Sequence, residues 1–386
     1  MRATLFGLAL ASLVSLSGCA LDATPAGDPQ LGADAELAQR LPPLQRARDG
    51  WRAVAAAIDT VAQQVAAGEL TRADAGLRAA PTTVAARELT ALVDVVARCR
   101  SAFERVDQQL DLVAAAEELT AARTLAAELP PAVAERIAAW QLGLSTLQER
   151  TTGMVAIAAG RTKKPAAQVP AFFVDASECS RAEFAAFVRE LRELVADAST
   201  REARFAVVAE RLAAADLTPD RLQDLLDQEP RDGEQPIERV TWHEAAAFAA
   251  FRGKALPSEA EWALLAFGDG GRFEFPWGNG WSNDPECRNP SDRTPAEVGQ
   301  GGLSWRRENG LRVHHVAGNV AEWLATAAGA REAPLAGGRY NLRSERDQRE
   351  QAQGRHEVRY KTDTTAGVGF RTVLRPRDFA PLAWPR

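Results

Sequence analysis

The residues best suited to chemistry in this 386-residue chain are few: four cysteines and four histidines. Spacing assigns a task to one of them. Cys19 directly follows Leu16-Ser17-Gly18, at the end of a nearly unbroken apolar run from Leu5 to Leu16 that Met1-Arg2 opens. A bilayer span needs roughly 20 apolar residues, so the run is too short to cross and has the layout of a signal peptide. Small residues before a cysteine make a lipobox: the processing peptidase needs small side chains there, and lipidation needs the thiol. Two or more acyl chains on one cysteine give stable anchoring, which a single chain does not. The sequence therefore predicts a lipid-anchored protein of the bacterial cell envelope, at the outer membrane facing the periplasm or the surface, with the membrane as a partner. The competing reading is a non-lipidated signal peptide with a chance cysteine.

Three thiols remain after Cys19: Cys99, Cys179 and Cys287. An odd number in an oxidising compartment leaves at least one unpaired, and no disulfide framework is evident. Cys99 lies on an apolar helical stripe and reads as a small core residue. His314-His315 is the one histidine pair, but neighbours on extended backbone point to opposite faces, which favours two ordinary polar residues over a metal site. No nucleophile elbow, Walker loop, zinc spacing or kinase signature is present. Gly367-Val368-Gly369 is a turn fragment, and the carboxylates form no identifiable acid–base pair. With 46 basic against 52 acidic residues the chain is mildly acidic, so a general nucleic-acid surface is excluded.

Two domains fit the length that must position these groups. Residues 20–41, rich in Ala, Asp, Gly and Pro, read as a flexible tether. Residues 42–150 carry three stripes with alternating steps of three and four. The first is Trp51, Val54, Ile58, Val61, Val65. The second runs Leu89, Leu92, Val96, Cys99, Phe103, Val106, Leu110, Val113. The third is Val133, Ile137, Trp140, Leu144, Leu147. Such steps keep residues on one helix face. Gly68, Pro81 and Pro130-Pro131 punctuate them, which predicts an antiparallel bundle or hairpin, with an oligomeric coiled coil as the rival. From 151 to 378 Trp, Gly, Pro and Phe become frequent, and a loop-rich domain completes an α+β fold class. Within it Ser180/Glu183, Thr241/Glu244 and Ser258/Glu261 each match the capping-box spacing of a helix start. The second of these helices is expected to end near Gly253 and the third near Gly268. A charged, Leu-bearing stretch at about 189–235 reads as an inserted helical pair.

Eight blocks from about 153 to 374 resemble, in order, those of the formylglycine-generating enzyme (sulfatase-modifying factor) family. Gly153–Gly160 resembles its opening strand, and Glu178–Phe184 its EVTNxxY/F segment. Pro236–Trp242 resembles PVxxVSW, and Gly253–Trp262 is very close to GKRLPTEAEW. Phe275–Gly278 resembles YPWG, and Ala317–Trp323 resembles MxGNVWEW without its first aromatic. Gly337-Gly338 and Gly369-Phe370-Arg371 match the closing RGGSW and GFR. The resemblance implies a variant of the C-type-lectin-like fold. It also implies an oxidase that turns a sulfatase cysteine into formylglycine, with copper(I) on two cysteines between the last two blocks. Thiolates are soft ligands that suit copper(I), yet Arg339 to Gly369 contains none. Copper is therefore not expected. A second branch of the family, which joins sulfur to histidine with non-heme iron, needs a histidine cluster on a separate helical domain. The four histidines, His243, His314, His315 and His356, leave the N-terminal helices with none, which excludes that branch.

Two features of the family remain to be placed. Catalytic relatives bind calcium at the GNVWEW loop, which here puts Gly318, Val320 and Glu322 at the ligand positions. His315 stands where an oxygen ligand is usual, and imidazole suits calcium poorly. The stretch Arg339–Lys361, where the family builds its substrate groove, carries seven basic residues and two tyrosines. It reads as a solvated loop whose charges pair with Glu345, Asp347, Glu350 and Glu357, or as a ligand groove through Tyr340, Arg343, Arg359 and Tyr360. The sequence thus points to a non-catalytic binding or scaffold domain on a lipid anchor, its ligand an envelope protein, peptide or glycan. The alternative is a formylglycine-generating or related oxidase with unusual ligands.

Overall fold

The computed structural model describes residues 31–80, 87–229, 232–282, 294–300, 312–342 and 344–385. Cys19, Cys287 and Arg343 lie outside the described residues. The chain has the expected α+β organisation, a helical bundle followed by a loop-rich domain of short strands and helices.

Five helices build the bundle: α1 (Leu31–Ala66), α2 (Leu70–Ala79), α3 (Arg87–Gln109), α4 (Leu112–Leu125) and α5 (Pro131–Arg150). Helix α1 starts inside the stretch expected as a tether. The predicted stripes meet in one core, where Val61 and Val65 pack with Val96, Cys99, Val106, Ile137, Trp140 and Leu147, although Trp51 of the first stripe is 53% exposed. The helices therefore satisfy one another within the chain. The second stripe does not run through, because Leu110 takes a φ of +57° and breaks it into α3 and α4. Asp111 then caps α4 by accepting from the Ala114 amide at 3.0 Å. Val113 turns outward and is 62% exposed.

The second domain holds β1 (Met154–Ile157), β2 (Gly160–Lys163), β3 (Ala166–Val169) and β4 (Phe172–Asp175), then α6 (Arg181–Leu194). The insertion follows as α7 (Arg201–Val208) and α8 (Pro219–Asp227), before α9 (Trp242–Phe251) and α10 (Glu259–Phe267). The chain closes through β5 (Ala321–Trp323), β6 (Glu332–Ala336), α11 (Glu345–Ala352), β7 (Glu357–Tyr360), β8 (Val368–Gly369) and β9 (Val373–Leu374). One sheet has the order β1-β4-β9, another β7-β6-β5-β8, and β2-β3 is a separate hairpin. Strand β5 pairs in parallel with β8 and antiparallel with β6, so the GNVAEW and GFR blocks lie side by side.

All three capping boxes are present, at the starts of α6, α9 and α10. In each the hydroxyl accepts from the glutamate's amide while the carboxylate accepts from the cap residue's amide. Gly253 and Gly268, with φ of +67° and +72°, follow the ends of α9 and α10 as expected. The insertion is helical and shares a core with the helices around it: Val208, Leu222 and Leu225 pack in the cluster of Phe187, Leu191 and Phe248. The residues after β9 then return to the bundle, where Leu382 is fully buried.

Candidate functional site

The parallel pairing of β5 with β8 brings Glu322 and Arg371 together. Arg371 donates from Nε to Glu322 Oε1 at 2.8 Å, its Nη2 lies 2.6 Å from the same oxygen, and both side chains are 0% exposed. Its remaining N–H groups reach backbone: Nη2 donates to the His314 carbonyl at 2.7 Å and Nη1 to the Asp175 carbonyl at 3.3 Å. Beside them lies a second buried carboxylate. Glu178 Oε1 accepts from Asn319 Nδ2 at 3.1 Å, and Asn319 holds a φ of +56° inside the GNVAEW turn. Burial pushes Glu178 up to about 7 against the pull of Arg371. Burial pushes Glu322 up to about 7 as well, again opposed by Arg371, while the charge of Glu178 adds to the rise. Two carboxylates thus share one guanidinium in a dry interior.

Of the expected calcium positions Gly318, Val320 and Glu322, only Glu322 offers a side-chain oxygen, and it sits in this pair. Its Oε1 is taken by Arg371, while Glu322 Oε2 and Glu178 Oε2 are buried with no hydrogen-bond partner among the described residues, and a divalent ion beside them would face the fixed charge of Arg371. Gly318 holds its turn by donating to the Gly337 carbonyl at 2.8 Å, and Val320 is buried in the core. His315, at a φ of +53°, turns its ring inward, where Nε2 lies 2.7 Å from the Gln300 carbonyl. Burial holds its imidazole down, to about 4, so it is neutral. Among the described residues no three His, Cys, Asp or Glu side chains are grouped to hold a metal ion.

The two described thiols are not placed to hold copper together. Burial raises the Cys99 thiol to about 12, and it belongs to the bundle core. Cys179 is buried in the other domain, and burial raises it well above the ordinary thiol value. Soft-ligand chemistry needs thiolates that share one opening. These two sit in separate cores.

The basic stretch is organised by ion pairs. Helix α11 occupies its middle, and Glu350 there pairs with Arg346 at 2.8 Å and with Arg355. Glu357 pairs with Arg339 at 3.3 Å and with Arg359. Of the four candidate groove residues Arg343 lies outside the described residues, and the other three are not gathered in one place. Tyr340 is buried and donates from its hydroxyl to Glu238 Oε2 at 3.3 Å. Arg359 turns to Glu357, while Tyr360, next to it on β7, faces the other way and is 58% exposed. Tyr360 lines a cavity that neither Tyr340 nor Arg359 reaches.

Sequence reasoning missed what lies in that cavity. Lys361 is 3% exposed, donates from Nζ to Asp216 Oδ2 at 2.9 Å, and stands 3.8 Å over the ring of Trp242. Nothing in the sequence separates Lys361 from the six other basic residues of its stretch. His243, inside the second capping box, is buried beside it, with Nδ1 2.8 Å from the Ala215 carbonyl.

Known proteins resemble the second domain. The formylglycine-generating enzyme of Thermomonospora curvata is 34% identical over 99 residues, which cover 23% of this chain and 33% of that protein. The inactive C-alpha-formylglycine-generating enzyme 2 of Mus musculus is 35% identical over 101 residues, covering 24% and 32%. The match thus spans about a third of the length of these curated relatives. Among solved structures, PvdO from Pseudomonas aeruginosa aligns with a TM-score of 0.36 at 18% identity, over 57% of this chain and 91% of that one. The family model of the sulfatase-modifying factor enzyme 1-like domain matches residues 143–376, more than half of the sequence, and the chain belongs to that family.

Proposed function

We propose that this chain is a lipid-anchored protein of the bacterial cell envelope whose sulfatase-modifying-factor-like domain binds or scaffolds instead of oxidising. The observation that carries this reading is the segment between Gly338 and Gly369, which contains no cysteine and is filled by α11 and its ion pairs. An oxidase of this family needs soft ligands open to both a metal and oxygen. The described thiols, Cys99 and Cys179, are buried in separate cores, so they cannot share one metal. A relative named as inactive, 35% identical over 101 residues, gives the reading a precedent. The ligand is an envelope protein, a peptide or a glycan, and the anchor at Cys19 holds the domain at the membrane.

The second reading, an oxidase with relocated ligands, is favoured by the similarity to proteins named formylglycine-generating enzyme and hercynine oxygenase. Purified protein incubated with copper(I), oxygen and a CxPxR peptide separates the two. The peptide cysteine is expected to stay unconverted, and wild type is expected to bind copper(I) no better than a variant lacking Cys99, Cys179 and Cys287. Aldehyde formation that disappears in that variant overturns the non-catalytic reading.

A further inference from the structure

Between the inserted helices and the β6–β7 hairpin lies a cavity of about 780 Å³. Its walls come from both sides: Phe205, Asp216, Leu217 and Arg221 from the insertion, Arg331 and Tyr360 from the hairpin. Lys361 and His243 line it from within the domain. The volume falls within the range of small-molecule sites, roughly 300–1,000 Å³.

Its polar groups are fixed in place. Asp216, in the left-handed region at a φ of +52°, accepts from Lys361 Nζ at 2.9 Å and from the Gly329 amide. That carboxylate therefore ties the insertion to the hairpin and holds the ammonium at the cavity. His243 Nδ1 faces the Ala215 carbonyl, an acceptor, so Nδ1 carries the proton and Nε2 is left as an acceptor. Burial lowers the affinity of this imidazole for a second proton.

The charges do not balance. Arg221, Arg331 and Lys361 line the cavity against a single carboxylate, Asp216. Lys361 takes up that carboxylate. Arg221 spends one N–H on the Asp216 carbonyl at 3.0 Å, and neither it nor Arg331 has an ion pair with a described residue. Two guanidinium groups are thus available beside a buried ammonium, with the Phe205, Leu217 and Tyr360 side chains forming an apolar wall. Guanidinium groups match the planar oxygens of carboxylates and phosphates, which they bind through paired hydrogen bonds.

We propose that this cavity binds a small organic anion that carries a carboxylate or phosphate on a flat apolar body. A bare inorganic anion satisfies the cations but leaves the apolar wall wet. An uncharged body leaves the guanidinium groups unmatched. The inference rests on the cavity's own lining and is independent of whether the domain oxidises a substrate.

Calorimetric titration of the full chain with phenyl phosphate, benzoate and phenol tests it. Phenyl phosphate and benzoate are expected to bind, and the tighter of the two identifies which anion the site prefers; phenol is expected not to bind. Arg331 is exposed, so Arg331→Ser keeps the fold, and it is expected to weaken the preferred anion about tenfold, the loss of one charge-assisted contact. Tyr360→Ala is expected to weaken phenyl phosphate while leaving the weaker binding of inorganic phosphate unchanged. Three results would overturn the proposal: no heat from either aromatic anion at millimolar concentration, phenol binding as well as they do, or Arg331→Ser and Arg221→Gln both binding as wild type does.

Discussion

Arg371 and Glu322 meet at 2.6 Å with neither side chain exposed to solvent. Strands β5 and β8, in different parts of the chain, are parallel neighbours, and Arg371 also reaches the Asp175 carbonyl at the end of β4. Removing one partner of such a pair leaves a buried, unmatched charge, which costs about 3–5 kcal/mol. Arg371→Met leaves Glu322 and Glu178 both without their shared cation, so a loss in that range is expected by urea denaturation. A variant within 1 kcal/mol of wild type, on the order of a surface change, shows that the pair does not hold the domain together.

Glu178 makes the same centre sensitive to pH. Its folded value, about 7, lies above the ordinary 4.5. Between those two values the folded state binds more protons than the unfolded state, so this group's contribution to stability is whole at low pH and is lost as pH rises toward 7. Gln at this position keeps the neutral shape at every pH. Relative to wild type, Glu178→Gln is therefore expected to gain in melting temperature from pH 5 to pH 7.5, with no further gain above. A difference that stays flat across this window means that Glu178 is ionised throughout.

Much of this was legible in the sequence, and the reason is local. Capping boxes at Ser180, Thr241 and Ser258 bind backbone amides three residues away, so the spacing alone declares them. The buried Trp262, 0% exposed, follows from the third box and the apolar run after it. The split of the second helical stripe was not legible. A positive φ at Leu110 has no side-chain signature, whereas a glycine there would have given it away. The Arg371–Glu322 pair and the Lys361–Asp216 pair join residues 49 and 145 positions apart, and each depends on strand or hairpin pairing that no short motif encodes. The ion pairs of Glu350 and Glu357 were anticipated because their partners lie within the same stretch.

The anchor is tested through its thiol. No described helix is long and apolar enough to cross a membrane. The proposed route of attachment is through acyl chains at Cys19. Cys19→Ser is expected to leave the precursor unlipidated and to move the protein from the detergent phase to the aqueous phase. Unchanged partition would remove Cys19 as the anchor.

The two domains are joined by more than the chain between them, and Gly143 on α5 is where this is most easily measured. The segment after β9 lies so close to α5 that a Cβ at Gly143 would stand 2.4 Å from the Pro381 carbonyl oxygen and 2.6 Å from the Leu382 Cα. Both are backbone atoms and cannot rotate away. Around this contact Trp140 Nε1 donates to the Ala383 carbonyl at 3.1 Å, and Phe103 meets Trp384 edge to face at 5.2 Å. Arg377 reaches Asp107 of α3 through two hydrogen bonds of 2.6 and 2.7 Å. In an isolated helix, Gly→Ala stabilises by about 1 kcal/mol. Against a docked tail the same methyl overpacks, at a cost of about 1–3 kcal/mol. The sign therefore reports docking: Gly143→Ala is expected to lower the melting temperature of the full chain, and to raise it in a chain ending at Asp378, where no tail meets the methyl. Should Gly143→Ala stabilise both forms, the tail does not dock on α5 in solution, and the bundle and the second domain are coupled through their other contacts, among them Arg377 with Asp107 and the Ala171 amide with the Asp107 carbonyl.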